Sequence, residues 1–395
     1  MSSTYRTLLR TPGAAAFFAT ASVGRVGIAM TSLGLVWLVH DRTGSYAVAG
    51  MVTGSFAVAE AVVGPQVARV IDRLGQTRVL PPVLLAHAAA VAVLLVLVTG
   101  DGPVWSMAAG GVLAGATIPQ LGALSAARWS TVLRDDAATA LPTAFSLESL
   151  SNGSAYLVGP VLVSAVAATG HPELGTALAA ALIVGGGLAL AAQGRTAPPP
   201  ADPLAGRRSL GRSLLGRTFV VLVGVSLGIG AFFGAIQVSV TAFAVESGAP
   251  GTAAPLYAVS SCAGLLAGWL YGTRRWRAVP AVQLTLATAG LAIACLLLLA
   301  ADSPVTVAVG LAVTALAVPP ILVLCSVIAE STVPRAVFTQ AFTWLNSASA
   351  AGTAGTAAVG GRVIDSFGSH GGFVTAAVAA AAMTVIAASH ANTSR

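Results

Sequence analysis

The chain has 395 residues, of which 56% are apolar and only 8% are charged, and its formal net charge is +7. Soluble domains carry roughly 25% charged residues. This composition therefore excludes a water-soluble protein and indicates an integral membrane protein, as does the mean hydropathy of +0.86. All 20 basic residues are Arg. They lie mainly in short loops between apolar runs, a pattern that is typical of membrane topology and argues against a nucleic-acid partner.

Twelve apolar runs are long enough to cross a membrane as helices. A helix needs about 20 residues to cross the hydrocarbon layer, and the runs lack the two-residue alternation of barrel strands. We therefore predict an all-α membrane protein with 12 transmembrane helices. The spans, numbered in chain order, are 14–39, 46–67, 79–99, 104–127, 141–168, 173–193, 218–244, 254–272, 279–301, 304–329, 338–361 and 372–389. Residues 362–371 are predicted to link spans 11 and 12.

The arginines predict the orientation of the spans. If both termini lie in the cytoplasm, seventeen arginines fall in the inside segments, and the outside segments hold only Arg42 and Arg362. Short loops rich in Arg stay on the cytoplasmic side of a membrane. We therefore predict a multi-pass membrane protein with both termini cytoplasmic.

The long polar stretch at 194–217 contains three consecutive prolines and five arginines. It predicts a cytoplasmic linker between an N-terminal six-helix bundle at 1–193 and a C-terminal six-helix bundle at 218–395. Gly75 and Gly272 are 197 residues apart, and so are Phe145 and Phe342. The common offset, at equivalent places in each half, indicates a parallel repeat. Such pseudo-symmetric bundles place a substrate site near the membrane midplane between them.

The segment after span 2 carries a recognisable motif. It reads Gly64-Pro-Gln-Val-Ala-Arg-Val-Ile-Asp-Arg-Leu-Gly-Gln-Thr-Arg78 and resembles the signature loop of the major facilitator superfamily. Ala68 replaces the first Gly of that pattern, and Gln76 replaces an Arg. The resemblance to bacterial 12-helix, efflux-type permeases of this superfamily runs from end to end. It implies the major facilitator fold, a location in the bacterial inner (cell) membrane, and a loop that acts as a conformational latch. The latch residues are Asp72, Arg73, Gly75 and Arg78.

The physical chemistry of these residues suits a latch. Gly75 can adopt a positive φ in a tight turn. Asp72 can accept hydrogen bonds from the N-terminus of a neighbouring helix, where the helix dipole favours an anion. Arg73 and Arg78 can hold the loop at an anionic lipid surface. The alternative is that these charges serve topology alone.

Span 5 contains Gly153, Gly159 and Pro160, which look like part of the superfamily's antiporter motif. The alternative is a plain packing kink, since proline bends helices and small residues permit close helix contacts. Members of the family that exchange drugs for protons often have an Arg in the fourth helix. The predicted span 4 has none, so any proton mechanism is expected to use other residues.

Three charged residues fall inside the spans, namely Arg25, Glu60 and Glu148. A charge at a helix centre costs about 2.5–3.5 kcal/mol on insertion scales, so such residues are usually functional and face the bundle interior. We hypothesise that Arg25 is a fixed cation and that at least one Glu binds and releases a proton. The alternative is a static ion pair that only pins helices. Further candidates for the substrate or proton pathway are Asn152, Gln237 and Asn346, and also Gln120.

These features predict a secondary active transporter that works by alternating access, with proton-coupled efflux of a small amphiphilic molecule. The alternatives are proton-coupled uptake of a sugar or metabolite and a membrane receptor or scaffold that transports nothing. The sequence has no phosphate-binding loop, no zinc-ligand spacing and no catalytic triad, so we expect neither an enzyme nor a bound cofactor or metal. The expected partners are a small-molecule substrate, protons and the lipid bilayer, and we expect a monomer.

Overall fold

The computed structural model describes residues 5–134, 137–200, 216–249, 252–274, 276, 278–334 and 337–391, and its regular structure is helical throughout. Ten segments of the described chain are long and apolar enough to cross a membrane. The segments predicted as spans 8 and 11 are helical as well. The helices are Tyr5–Arg10, Ala14–Thr43, Tyr46–Leu74, Gln76–Thr99, Val104–Thr117, Leu121–Val132, Ala137–Ala167, Pro172–Ala191, Arg217–Glu246, Ala253–Thr273, Pro280–Leu299, Pro304–Thr332 and Phe338–Ala391.

Spans 2 and 3 are separated by a single residue, Gly75, instead of a loop. Gly75 adopts φ 93° and ψ 146°, which glycine tolerates without the steric cost of a Cβ. Its N–H donates to the carbonyl of Ile71, 2.8 Å away, and so closes the end of span 2. The predicted span 2 is therefore too short. Hydropathy marks only the apolar part of a helix, and this helix continues with charged residues beyond it.

Span 4 is broken at mid-length, so its prediction as one helix over 104–127 is wrong. Ile118 has an extended backbone, with φ −64° and ψ 127°, as expected for a residue before a proline. Pro119 also lacks the N–H that a continuous helix needs. The carbonyl of Ala114, left near the break, lies 3.2 Å from Nδ1 of the buried His87 in span 3. Such a partner makes a helix break tolerable at membrane depth.

Spans 11 and 12 are two helices separated by a non-helical break at Gly368, which lies inside the predicted link at 362–371, although the link is much shorter than predicted. The backbone is helical on both sides of Gly368, which adopts φ 67° and ψ −169°. The carboxylate of Glu246, at the end of span 7, accepts hydrogen bonds from the backbone N–H (2.8 Å) and the hydroxyl (2.6 Å) of Ser369. Glu246 thus caps span 12, which begins after the break at Gly368.

Glycines bring neighbouring spans into backbone contact. In span 7, a Cβ placed on Gly234 would lie 2.5 Å from the carbonyl oxygen of Thr353 in span 11, and Gly230 meets the carbonyl of Ser349 in the same way. Lipid provides little hydrophobic drive for helix association, so close packing of small residues stabilises such pairs.

Candidate functional site

Arg25 and Glu148 form a buried ion pair between spans 1 and 5, with 5% and 11% of their side chains exposed. The Glu148 carboxylate also accepts hydrogen bonds from the Ser125 hydroxyl (2.6 Å) and the Trp129 indole N–H (2.6 Å). Ser125 and Trp129 belong to the second helix of span 4. Three spans therefore converge on one carboxylate, which both pairs the cation and satisfies two neutral donors.

The second helix of span 4 holds this cluster because Ser125 and Trp129 share a face at i, i+4 spacing. Trp129 is fully buried and packs edge-on against Phe17 of span 1, with ring centroids 4.8 Å apart. The sequence analysis missed both partners of Glu148. The predicted end of span 4, at residue 127, fell between Ser125 and Trp129. Their i, i+4 spacing just before the charged loop could have indicated that the helix continues to Trp129.

Glu60 lies at the middle of span 2 and has a different environment. Its Oε1 accepts a hydrogen bond from the amide of Gln120, 2.9 Å away. Gln120 occupies the break in span 4, which turns its side chain toward span 2. The ion pairs found in the described part of the chain do not include Glu60. The two intramembrane carboxylates therefore differ, because Glu148 is paired with a cation and Glu60 is held by a neutral amide.

The break in span 4 separates the two carboxylates. On one side Gln120 reaches Glu60. On the other side Gly122 adjoins the guanidinium of Arg25, since a Cβ on Gly122 would lie 3.6 Å from Nε of Arg25. That Nε atom is buried and has no hydrogen-bond partner among the described residues. A small shift of the second helix of span 4 would consequently change the surroundings of both acids.

Asn152 and Asn346 lie on spans that face each other across the two halves. Phe145 and Phe342, at equivalent places of the repeat, pack with ring centroids 5.8 Å apart. At about 100° per residue, Asn152 and Tyr156 share the Phe145 face of span 5, and both are exposed. Asn346 is also exposed, one turn beyond Phe342. This face of span 5 therefore points toward the C-terminal half.

Gln237 belongs to span 7, the first span of the C-terminal half. Its side chain is exposed near the far end of span 7, and its backbone carbonyl accepts a hydrogen bond from the Tyr257 hydroxyl at 2.6 Å. Of the predicted pathway residues, the structure thus joins Arg25 with Glu148 and joins Glu60 with Gln120.

Asp72 connects the two halves at the arginine-rich end of the bundle. Its carboxylate accepts hydrogen bonds from the backbone N–H groups of Thr339 (3.2 Å) and Gln340 (2.8 Å), at the start of span 11. A carboxylate at a helix N-terminus satisfies free N–H groups and complements the helix dipole. The side chains of Arg73 and Arg78 are exposed. Of the four signature-loop residues, Asp72 makes the contact between halves and Gly75 makes the turn.

Two further side chains, those of Tyr5 and Thr143, join the halves at the same end. The Tyr5 hydroxyl donates to the carbonyls of Gly268 (3.3 Å) and Trp269 (3.1 Å) in span 8. The Thr143 hydroxyl donates to the carbonyl of Gly272 at 2.9 Å. Burial raises the pKa of Tyr5 to about 12, so its hydroxyl remains a donor at neutral pH. Neither Tyr5 nor Thr143 carried a sequence signal, because both are isolated polar residues near predicted helix starts.

Arg128, which the sequence analysis counted among the arginines of the inside segments, is completely buried within the second helix of span 4. Its guanidinium donates to the side chains of Gln76 (2.8 Å) and Thr196 (2.7 Å) and to the carbonyls of Leu190 (2.9 Å) and Gln193 (2.8 Å). Those carbonyls lie at the end of span 6, where the helix dipole favours a cation. Span 4 therefore does contain an arginine, and the unusual Gln76 of the signature loop is its partner.

The glycines of the antiporter-like motif are packing positions. A Cβ on Gly159 would lie 2.9 Å from the Cβ of Ala29 in span 1, and one on Gly153 would lie 3.2 Å from Leu265 in span 8. Pro160 lies inside the uninterrupted helix Ala137–Ala167. The geometry supports close helix packing at these positions.

Comparison with known proteins agrees with this architecture. A family model described as the Major Facilitator Superfamily matches residues 15–300. No curated protein sequence matches the chain significantly. Among solved structures, the human organic anion transporter MFSD10 (TETRAN) has a TM-score of 0.73 at 14% sequence identity, over 95% of this chain and 98% of that chain.

Two bacterial transporters show the same likeness. A bacterial homologue of the iron transporter ferroportin, in its outward-facing state, has a TM-score of 0.73 at 12% identity, over 96% of this chain and 99% of that chain. The E. coli fucose:proton symporter FucP has a TM-score of 0.67 at 17% identity, over 94% and 97%. The all-helical transporter fold is thus shared over the whole length. The family match covers well over half of the sequence, and the chain belongs to the Major Facilitator Superfamily.

Proposed function

We propose that this secondary transporter exports a small amphiphilic molecule in exchange for protons, by alternating access. The observation that carries the proposal is the polar cluster inside the N-terminal half. There the Arg25–Glu148 pair and Glu60 lie on opposite sides of the broken span 4. Ionisable groups at this depth are costly to insert and commonly mark substrate or proton pathways.

The contacts at the arginine-rich end support a closed cytoplasmic gate. Asp72, Tyr5 and Thr143 each bond across the two halves at this end. With the orientation that the arginines predict, the molecule is outward-facing. Inward opening would require these hydrogen bonds to break. In this motion the bundles at 1–193 and 218–395 rotate about the site, and the linker 194–217 joins them.

Within this gate, we assign each signature-loop residue a part. Asp72 is the latch, because it caps span 11 of the other half. Gly75 supplies the turn. Arg73 and Arg78, which are exposed, hold the turn at the anionic inner leaflet.

Transport in proteoliposomes tests the proposal. The purified protein is reconstituted with a trapped pH-sensitive dye, a pH gradient is imposed, and a panel of cationic, neutral and anionic amphiphiles is added. We expect at least one amphiphile to drive proton movement opposite to its own flux, and protein-free liposomes to show none. Flux of protons and solute in the same direction would instead establish the uptake alternative. Absence of any solute or proton flux would favour a receptor or scaffold.

A further inference from the structure

We propose that residues 194–200, at the start of the linker, form a strap that Arg128 fixes to the N-terminal half and that helps to hold the cytoplasmic gate closed. This inference rests on the alternating access of the proposed function and deepens it, since it adds the linker to the gate. It follows from the contacts of Arg128, of the first turn of the linker and of the prolines after that turn.

Arg128 determines where the linker leaves span 6. Its guanidinium donates to the carbonyl of Gln193 (2.8 Å) and to the hydroxyl of Thr196 (2.7 Å), on either side of the first turn of the linker. Thr196 is 5% exposed, and its methyl group lies 2.6 Å from where a Cβ on Gly13, at the start of span 1, would lie. A planar guanidinium holds several acceptors in a fixed geometry. The first turn of the linker is therefore packed into the N-terminal half.

The chain leaves this turn in an extended conformation. Ala197 adopts φ −68° and ψ 136°, as expected for a residue before a proline. Three prolines follow, Pro198 to Pro200. Consecutive prolines have a fixed φ and no N–H groups. They form a stiff segment that can cover a protein surface without leaving a donor unpaired, and they retain the direction in which Thr196 sets them.

The prolines lie over the Asp72 latch. They share a cavity of about 10 Å³, too small for more than one water molecule, with the signature loop and the start of span 11. Its lining includes Asp72, Gln76, Pro198, Pro199, Phe338 and Thr339. Pro200 approaches the turn itself, since a Cβ on Gly75 would lie 3.2 Å from its Cγ. The strap, the latch and span 11 therefore meet at one point.

This arrangement makes the strap a component of the closed gate. Because Arg128 fixes the strap to the N-terminal half, the strap would stay with Asp72 when span 11 moves away. Phe338 is 4% exposed and would lose apolar cover in that motion, which disfavours opening. By excluding water, the strap also strengthens the contact between the Asp72 carboxylate and the N–H groups of span 11.

Distances between spin labels test the strap in the full-length protein without any substrate. In a background whose three cysteines are replaced by alanine, labels are placed in pairs at Arg73, Pro199 and Arg274, which are exposed. We expect one narrow Arg73–Pro199 distance. The Pro199–Arg274 distance should lengthen together with the Arg73–Arg274 distance in the population open at this end. A broad Arg73–Pro199 distribution would overturn the proposal, because the strap would then not be fixed to the N-terminal half.

The anchor of the strap is tested by Thr196→Val, which keeps the shape of the side chain and removes an acceptor of Arg128. We expect this variant to broaden the Arg73–Pro199 distribution and to increase the longer Arg73–Arg274 component. Thr169→Val, at an exposed position of the opposite end, is the matched control and should change neither distance.

The stiffness of the strap is tested by Pro198→Gly/Pro199→Gly, which keeps the length of the linker. Glycine has many more backbone conformations than proline, so we expect the ratio of open to closed molecules, measured by the Arg73–Arg274 distance, to rise by about fivefold. The matched control is Pro103→Gly/Pro304→Gly, at two exposed prolines of the opposite end, and should leave the ratio unchanged.

These distances separate the strap from the transport activity. If amphiphiles exchange for protons and the strap variants leave the Arg73–Arg274 distribution unchanged, the proposed function stands and this inference fails. If the strap variants open the gate and no solute moves in proteoliposomes, this inference stands and the proposed function fails.

Discussion

At the scale of single residues, the Arg25–Glu148 pair stabilises the N-terminal half only when it is complete. Breaking a buried ion pair by removing one partner typically costs about 3–5 kcal/mol, whereas replacing both partners by apolar residues is often neutral. We therefore expect Glu148→Gln to lower the free energy of unfolding by this amount. The double variant Arg25→Met/Glu148→Leu is expected to recover most of it. Unfolding in detergent, followed by tryptophan fluorescence, measures both.

Glu60→Gln is the control for this prediction, because it neutralises an intramembrane carboxylate that pairs with no described cation. It should change the stability much less than Glu148→Gln does. Equal losses in the two single variants, or a double variant less stable than Glu148→Gln, would show that the pair is not held together by charge compensation.

Arg128 supports a second prediction at this scale. Its planar guanidinium donates to four acceptors at once, on span 6, the first turn of span 3 and the start of the linker. An ammonium group has no such fork geometry. Hydrogen bonds made by a charged group contribute about 1.5–3 kcal/mol each, so Arg128→Lys should destabilise the protein by at least that much. Thermal unfolding tests this, with Arg134→Lys at an exposed position as the control. Similar melting temperatures for the two variants would contradict the expectation.

The charges inside the apolar runs were identifiable from the sequence, because a charge there is rare and costly. Their partners were not. Trp129 lay beyond the predicted end of span 4 at residue 127, whereas the helix continues to Val132. Arg128 could not be distinguished from the loop arginines for the same reason. Positional errors of a few residues at helix ends therefore changed which residues could be assigned to the site.

At the scale of helices, the contact between spans 7 and 11 depends on glycine. A Cβ on Gly230 would collide with the backbone carbonyl of Ser349. Backbone yields less readily than a flexible side chain, so we expect Gly230→Ala to separate the spans and to lower the stability by about 1–3 kcal/mol, as overpacking does. Thermal unfolding in detergent measures the effect.

Gly290→Ala is the matched control for Gly230→Ala. In span 9, a Cβ on Gly290 meets nothing within 4 Å, so alanine there should be neutral or slightly stabilising, through its better helix propensity. If both substitutions stabilised the protein, packing at Gly230 would not limit the approach of spans 7 and 11.

Hydropathy predicted which segments are helical, whereas the break within span 4 was not predicted. Pro119 breaks span 4, yet Pro319 and Pro320 lie inside the continuous helix Pro304–Thr332. A proline alone therefore does not predict a break. In span 4, a carbonyl near the break has a partner in His87 of span 3, and such a tertiary partner is invisible along one apolar run.

At the scale of the whole molecule, Asp72 is expected to bias the equilibrium between the two open states. Its carboxylate meets the N-terminus of span 11 only while the arginine-rich ends of the halves are together. A charge–dipole contact of this kind contributes up to about 2 kcal/mol in partly buried geometry. Asp72→Asn keeps the shape and removes the charge. It should therefore shift the population toward the state open at the arginine-rich end, by up to about thirtyfold.

Spin labels placed at Arg73 and Arg274, which are exposed at that end of the two halves, measure the shift. In double electron–electron resonance, the population open at this end gives a longer distance between the two labels. Asp101→Asn is the control, since Asp101 is exposed at the opposite end and takes no part in the hydrogen bonds of the gate. The gate also contains Tyr5 and Thr143, which would keep part of the population closed when Asp72 is neutral. An incomplete shift would therefore agree with a gate that is held by several hydrogen bonds. A distance distribution unchanged from that of the wild type would show that the Asp72 carboxylate does not hold the gate.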